Sequence, residues 1–235
     1  MMIRQKDMRS EPVRRVVSLG ESHVDGMTAS SPQMRWVNQT VKLLEEFQGQ
    51  PIEFINKGIS ANVITTECPS YDSSAKPAAL ERLDADVIAL KPDLLFVSYG
   101  LNDSRGGTPL DVFCRAFLEL IDRVRARINP LIVAPNVYYM HEVCYRMYEP
   151  FTKSNYDLTE IFNLAIKQLC EANGLIYVDI YGGEVGCDWM IDDDHCHAND
   201  LGHRIIAHRV FEAIARNCSF VARKCPQGWR TSARG

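Results

Sequence analysis

A chain of 235 residues, of which 46% are hydrophobic, is long enough to bury one substantial core, so we expect a single domain over residues 1–235. The formal net charge of −4 gives no strongly basic surface for nucleic acid or an anionic membrane. No apolar run reaches the roughly 20 residues that a membrane-spanning helix needs. The charged start of the chain lacks the pattern of a secretory signal, and the eight cysteines have no metal-binding spacing. We therefore expect reduced thiols and a cytoplasmic protein.

Apolar runs and helical periodicity alternate along the chain. In chain order they predict strand 15–19, helix 32–47, strand 52–55, helix 77–90, strand 94–98, helix 109–128, strand 131–134, helix 158–172, strand 175–180 and helix 201–216. The stretches 136–156 and 181–193 are predicted to be irregular, and residues 217–235 to form a peripheral tail outside a core of about 15–216. This alternation favours a parallel sheet covered by helices on both faces.

Residues that could take part in catalysis or binding follow the predicted strands. Ser22 follows the first strand, Gly58 the second and Asn102 the third, while Asp194 and His197 lie beyond the fifth. In open parallel sheets, ligands and catalytic groups collect at the carboxyl ends of the strands. The placement of these residues therefore predicts one functional site at that edge of the sheet.

The segment before the last predicted helix carries a carboxylate three residues ahead of an imidazole. Asp194 can accept a hydrogen bond from one ring nitrogen of His197, which leaves the other nitrogen free to take a proton from a nucleophile. The hydroxyl of Ser22 is the candidate nucleophile. Spacing alone also permits a second frame, Asp192 with His195, and does not choose between the two.

Four short motifs, in this order, resemble those of the SGNH hydrolases, also called the GDSL esterase/lipase family. They are Gly20-Glu21-Ser22, Asn56-Lys57-Gly58-Ile59-Ser60, Gly100-Leu101-Asn102-Asp103, and Asp194 to His197 followed by Gly202-His203. Each motif alone is short, but their order and their positions after strands make the resemblance specific. It extends from about residue 15 to residue 216.

The resemblance implies a three-layer α/β/α sandwich, a flavodoxin-like five-stranded parallel sheet and the hydrolysis of small-molecule acyl esters. In that family pattern Ser22 is the nucleophile, His197 the general base and Asp194 the group that orients the imidazole. The backbone N–H groups of Ser22 and Gly58 and the side-chain amide of Asn102 would form the oxyanion hole. The resemblance implies no metal and no organic cofactor.

The same resemblance favours the pair of Asp194 and His197 over that of Asp192 and His195. The family usually has a glycine five residues after its histidine, and Gly202 holds that position relative to His197. The sequence departs from the family pattern at two positions. Glu21 stands where the family usually has Asp, so one extra methylene changes how the carboxylate braces the loop. Ala61 stands where many members have a second glycine.

The residues admit other interpretations. Ser22 could be a helix cap without catalytic duty, and residues 192–197 contain metal-ligand residue types, although without a zinc spacing. The aromatic stretch 136–156 could line a pocket, fill the core or contact a second subunit. The glycines around Ser22 do not form the dinucleotide-binding pattern.

We therefore hypothesise a serine esterase or deacetylase that acts on small acyl esters, including O-acetylated sugars. An O-acyltransferase with the same triad is the alternative among enzymes. A binding protein that keeps the fold without the activity is the third hypothesis, and Glu21 is the feature that favours it.

Overall fold

The computed structural model describes residues 7–222 and is built around one five-stranded sheet. The strands are β1 (Arg15–Gly20), β2 (Glu53–Gly58), β3 (Leu94–Ser98), β4 (Leu131–Pro135) and β5 (Ile176–Val178). All neighbouring strands are parallel, and their order across the sheet is β2-β1-β3-β4-β5. Strands β3 and β4 are buried along their whole length, as expected for continuous apolar runs covered on both faces.

Helices cover both faces of the sheet. The α-helices in residues 7–222 are α1 (Ser22–Asp25), α2 (Trp36–Gln48), α3 (Ala79–Leu83), α4 (Leu101–Gly106), α5 (Leu110–Arg127), α6 (Tyr156–Asn173), α7 (Tyr181–Glu184) and α8 (Asp200–Asn217). Helices α2 and α8 pack together in one layer, and α3, α5 and α6 form a connected layer opposite. The predicted three-layer α/β/α sandwich with flavodoxin-like strand order is confirmed. No helix in the described residues is both long and apolar enough to cross a membrane.

The strand order creates a crevice at the carboxyl edge of the sheet. Strand β1 lies between β2 and β3, and Gly20 at its end is in register with Ser98 at the end of β3. The chain leaves these two neighbouring strands toward helices of different layers, which is where ligand sites form in such sheets. Ser22 and Asn102 lie in the first turns of α1 and α4, the helices that follow β1 and β3.

The helix boundaries differ from the predicted ones at two places for local reasons. Extended backbone at Arg35 (φ −60°, ψ 136°) divides the predicted helix 32–47 into a 3₁₀ turn, Pro32–Met34, and α2. The predicted helix 77–90 is α3 followed by a π-helical turn, Asp84–Ile88. The short helices α1, α4 and α7 were not predicted, because one or two turns are too short to show an apolar periodicity.

The end of the described chain is packed on the domain. A 3₁₀ turn follows α8 at Ser219–Val221, and its residues Phe220 and Val221 are buried. Ser219 N–H donates to Arg9 O, which joins this turn to the start of the described chain. The predicted tail thus begins with a packed turn, and residues 223–235 lie outside the described residues.

Candidate active site

Ser22 is presented by a tight passage from β1 into α1. A Cβ at Gly20 would lie 2.4 Å from Val24 Cγ2 and 2.7 Å from Ser98 O, so this passage requires glycine. Glu21 is extended, and Ser22 is the first residue of α1. Ser22 is only 5% exposed, yet it lines a cavity at the carboxyl edge of the sheet.

Ser22, His197 and Asp194 form a continuous hydrogen-bonded chain. Ser22 Oγ lies 2.8 Å from His197 Nε2, and His197 Nδ1 lies 2.5 Å from Asp194 Oδ2. Asp194 Oδ1 accepts the backbone N–H groups of Cys196 and His197, both at 2.9 Å. Because the carboxylate is held by its own loop, the imidazole that it binds has a fixed orientation.

The protonation of Asp194 determines which ring nitrogen of His197 carries the proton. Partial burial alone would raise the pKa of Asp194, but hydrogen bonds from His197 and Cys196 outweigh burial and lower the pKa to about 2. The charged carboxylate therefore accepts the proton of Nδ1. His197 Nε2 then presents its lone pair to the hydroxyl of Ser22, so the arrangement can remove the hydroxyl proton.

The alternative frame of Asp192 and His195 lies apart from Ser22. His195 is exposed, and its backbone has a left-handed φ of 62°. Its ring lies beside His141, with 5.4 Å between the ring centroids, and its backbone N–H donates to Asp192 O. The structure brings His197, and not His195, to Ser22.

Two buried histidines, His23 and His203, stack on each other beside the loop of Ser22. The ring of His23 stacks on Tyr138 with 3.8 Å between centroids, and burial lowers the pKa of His23 well below its usual value. His203 Nε2 is 3.2 Å from Met27 O, and burial lowers its pKa as well. Neither is among the residues that line the cavity, so both belong to the support of the site.

Glu21 joins the segment that carries Ser22 to the start of α4. Its Oε1 accepts Leu101 N–H at 3.0 Å, and its Oε2 accepts Asn102 N–H at 2.9 Å. These N–H groups lie in the first turn of a helix, where no intrahelical acceptor exists. Burial, with repulsion from Asp103, raises the pKa of Glu21 to about 8. The departure from the usual Asp therefore has a defined structural role.

Asn102 is oriented by contacts on both its backbone and its side chain. Besides the bond to Glu21, its Nδ2 donates to Asn62 O at 3.0 Å. A side-chain amide nitrogen carries two hydrogens, so one remains for a ligand in the cavity that Asn102 lines. Next to it, Asp103 Oδ1 accepts Ile64 N–H and ties α4 to the loop after β2.

The structure corrects the predicted role of Gly58. Its N–H donates to Asn56 Oδ1 at 2.8 Å, and a Cβ at Gly58 would lie 2.1 Å from the backbone nitrogen of Asp25. Glycine is needed there because β2 and α1 approach each other closely, and Gly58 does not line the cavity. The N–H predicted as an oxyanion donor is therefore already bonded.

The loop residue at the cavity is Ala61, three positions later. Ala61 lines the cavity and has a φ of 59°, in the left-handed region that favours glycine. No hydrogen bond of its N–H is found among the described residues, whereas its carbonyl accepts Ala75 N–H. The departure noted in the sequence at Ala61 thus coincides with an N–H that has no partner within residues 7–222, at a residue that lines the same cavity as Ser22.

The cavity has a volume of about 310 Å³ and a mixed lining. Its residues are Ser22, Met27, Ser60, Ala61, Leu101, Asn102, Arg105, Tyr148, Phe151, Asp194, Cys196 and His197. The aromatic stretch 136–156 divides between two roles, because Tyr138 and Tyr145 are buried in the core while Tyr148 and Phe151 face the cavity. Sequence reasoning did not identify Arg105, although it lies three residues after Asn102.

The comparisons with known proteins place the chain in a family. The family model described as GDSL-like Lipase/Acylhydrolase matches residues 18–205, so the chain belongs to this family. It is a carboxylic ester hydrolase by class.

The fold is similar to solved structures of low sequence identity. A lipase/acylhydrolase from Enterococcus faecalis is 17% identical with a TM-score of 0.69, and the match covers 86% of this chain and 96% of that one. An acetylxylan esterase from Geobacillus stearothermophilus is 20% identical with a TM-score of 0.67, and the match covers 93% and 100%. At these identities the likeness establishes the fold alone. No curated protein matches the chain significantly.

Proposed function

We propose that this protein hydrolyses small acyl esters through an acyl-enzyme on Ser22, with His197 as general base and Asp194 as its orienting carboxylate. The observation that carries the proposal is the chain of hydrogen bonds from Ser22 Oγ to His197 Nε2 (2.8 Å) and from His197 Nδ1 to Asp194. A serine hydroxyl is a weak nucleophile until an adjacent base removes its proton, and this geometry supplies that base.

In the first half of the reaction, Ser22 Oγ attacks the acyl carbonyl carbon while its proton passes to His197 Nε2. The imidazolium is stabilised by the charged carboxylate of Asp194. When the tetrahedral intermediate collapses, Nε2 returns the proton to the oxygen of the departing alcohol, and the acyl group remains on Ser22.

The negative charge on the former carbonyl oxygen requires hydrogen-bond donors that are in place before the reaction. We assign the side-chain amide of Asn102 and the backbone N–H groups of Ser22 and Ala61. Ala61 takes the place of Gly58, because its N–H is free and it lines the cavity. The first N–H of a helix such as α1 has no intrahelical acceptor, which leaves that of Ser22 available.

In the second half, water takes the place of the alcohol. His197 Nε2 removes a proton from the water as it attacks the acyl carbon, and the released Ser22 oxygen takes that proton back. The products are a carboxylic acid and the regenerated hydroxyl. No step in this scheme requires a metal ion or an organic cofactor.

The cavity supports a small acyl group. About 310 Å³ lies at the lower end of the range of small-molecule sites, and Leu101, Phe151 and Met27 supply apolar surface around the nucleophile. The similar structure from Geobacillus stearothermophilus is described as an acetylxylan esterase. We propose acetyl and other short acyl esters, including O-acetylated sugars, as the substrates.

The test is a panel of 4-nitrophenyl esters of increasing acyl length, measured on the wild type and on Ser22→Ala. Hydrolysis that falls with acyl length, together with a loss in Ser22→Ala of roughly four to six orders of magnitude in kcat, supports the proposal. Labelling of the wild type but not of Ser22→Ala by a fluorophosphonate separates an active hydrolase from an inactive binding protein. Equal activity of the wild type and Ser22→Ala would refute the proposed function.

The alternative acyltransferase is distinguished by the acceptor. With water as the only acceptor, a hydrolase releases free carboxylic acid at a rate equal to the release of 4-nitrophenol. An acyltransferase would release the acid slowly and would accelerate when a sugar or simple alcohol is added, with the acyl group appearing on that alcohol.

A further inference from the structure

A buried guanidinium forms part of the wall of the active-site cavity. Arg105 lies on α4 and lines the same cavity as Ser22 and His197, although the residue is only 3% exposed. Arginine is almost never fully buried unless it is paired with an acid. The contacts of Arg105 therefore determine whether its charge has a partner.

The contacts of Arg105 are with neutral groups. Its Nη2 donates to Cys144 O and Met147 O, both at 2.9 Å, and these two bonds anchor the loop before Tyr148. The contact of Nη1 is a long one, 3.9 Å to Cys196 Sγ, and Nε has no hydrogen-bond partner in the part of the chain that the structure describes. Within residues 7–222 no carboxylate forms an ion pair with Arg105.

The acids around the site do not neutralise this charge. Burial raises the pKa of Glu21 to about 8, although the charge of Arg105 acts in the opposite direction there, and burial raises the pKa of Asp103 to about 7, so these carboxyl groups hold their protons more strongly than ordinary ones. Asp194 is charged, but its oxygens are bonded to His197 and to backbone N–H groups. A buried charge without a counterion is costly, and that cost falls when an anion enters the cavity beside Arg105.

We infer that Arg105 binds a carboxylate carried by the ester substrate, so that the preferred substrates are esters with an anionic group on the acyl or on the alcohol portion. This inference rests on the proposed hydrolase function. Both hydrogens of Nη2 are donated to carbonyl groups, so Nη1 is the group that would donate to the carboxylate, and such a charge-assisted bond is stronger than a neutral one. The competing interpretation is that Arg105 only anchors the loop through the carbonyl groups of Cys144 and Met147.

The wild-type experiment compares matched pairs of anionic and neutral esters. The acyl arm compares 4-nitrophenyl hemiadipate, which carries a free carboxylate, with its neutral methyl ester, 4-nitrophenyl methyl adipate. The alcohol arm compares 4-acetoxybenzoate with methyl 4-acetoxybenzoate. Each kcat/KM is divided by the rate at which hydroxide cleaves the same ester, which removes differences in intrinsic reactivity. We expect a preference for the anionic ester of about tenfold to a hundredfold in one arm, the range of a hydrogen bond to a charged group.

Variants separate recognition of charge from anchoring of the loop. In Arg105→Met the ratio of anionic to neutral kcat/KM should fall to near one, and Arg105→Lys should keep part of it because the charge remains. A purely structural loss would lower both rates and leave the ratio unchanged. Arg115→Met is the matched control, because Arg115 is an exposed arginine that pairs with Asp111 on α5. Its ratio should equal that of the wild type.

Binding to Ser22→Ala provides a measurement that needs no catalysis. Calorimetry on this variant should give tighter binding of the anionic ester than of its neutral partner, and the preference should disappear when Arg105→Met is added.

If Ser22-dependent hydrolysis occurs with a ratio near one in both arms, the inference about Arg105 is overturned and the proposed function stands. If no ester is hydrolysed, the proposed function fails, and equal binding of the two esters to Ser22→Ala overturns the inference separately. Should Arg105→Met fail to fold, the wild-type ratios and Arg105→Lys still decide the question.

Discussion

The carboxyl group of Glu21 accepts the backbone N–H of Asn102 at 2.9 Å, which ties the residue before the proposed nucleophile, Ser22, to the residue whose amide we propose for the oxyanion hole. The two sides of the site are therefore set relative to each other by one buried side chain that bridges β1 and α4. Its other oxygen accepts Leu101 N–H, so both acceptors are occupied. This connection leads to the first prediction.

Replacing Glu21 by Ala should leave two buried N–H groups without acceptors and allow α4 to move. We expect a loss of about 1–3 kcal/mol in the free energy of unfolding and a fall of roughly tenfold or more in kcat, because Asn102 shifts relative to Ser22. Chemical denaturation and ester kinetics measure the two effects. Glu21→Asp should have a free energy of unfolding and a kcat between those of the wild type and Glu21→Ala, since its shorter side chain cannot reach the N–H groups of Leu101 and Asn102 equally. A fully active, fully stable Glu21→Ala would contradict this role.

The second prediction concerns the side-chain amide of Asn102, the proposed donor to the oxyanion. Asn102→Ala should lower kcat by about a hundredfold to a thousandfold if the amide donates to the oxyanion. It also removes the bond to Asn62 O, so we expect a loss of about 1 kcal/mol in stability. Ser60→Ala is the matched control, because Ser60 also lines the cavity but directs its hydroxyl to Asp25. Comparable losses of kcat in both variants would argue against a specific role for Asn102.

The third prediction separates the two histidine frames. His197→Ala should lower kcat by roughly four to six orders of magnitude, since it removes the base from a triad that acts as a unit. His195→Ala should change kcat by no more than about threefold, because the exposed His195 ring lies beside His141 and away from Ser22. Side-by-side ester kinetics measure both effects. The reverse order of severity would mean that the alternative frame is the functional one.

The fourth prediction uses the pH dependence of stability and involves Glu184, which is buried near α8. Burial raises the pKa of Glu184 to about 8 from an ordinary value of 4.5. The folded state thus holds a proton that the unfolded chain releases between these values. The stabilising contribution is fully present below the lower value and is lost as the pH rises through about 8.

Glu184→Gln removes this titration while keeping the shape of the side chain. We expect Tm to fall less steeply for Glu184→Gln than for the wild type between about pH 5 and about pH 8. The exposed Glu160 provides a control, and Glu160→Gln should follow the wild-type profile. Parallel curves for all three proteins would show that Glu184 is not the group that titrates.

The sequence was most informative where local apolar patterns decide the structure. Strand β3 was predicted with its observed limits, Leu94–Ser98, because a run of five apolar or small residues is typical of a strand that is covered on both faces. The predicted helix 158–172 corresponds to α6, and Gly174 caps that helix with a φ of 62°. The strand order followed from the family resemblance and not from the pattern itself.

The errors have a common physical cause, since they depend on contacts between distant segments. Gly58 is the last residue of β2 and Ala61 lies in the loop that follows, and only the packing of Gly58 against Asp25 reveals which one faces the cavity. Arg105 was overlooked because its burial depends on Cys144 and Met147, about forty positions away. No spacing rule in the sequence encodes such a contact.

The separation between Ser22 and His197, 175 positions along the chain, has a consequence for biosynthesis. A nascent chain on the ribosome contains the hydroxyl of Ser22 well before the imidazole of His197 has been made. A chain that ends before His197 therefore lacks the base that we propose for Ser22. The appearance of ester cleavage during translation would report, in real time, the moment at which the last helix docks.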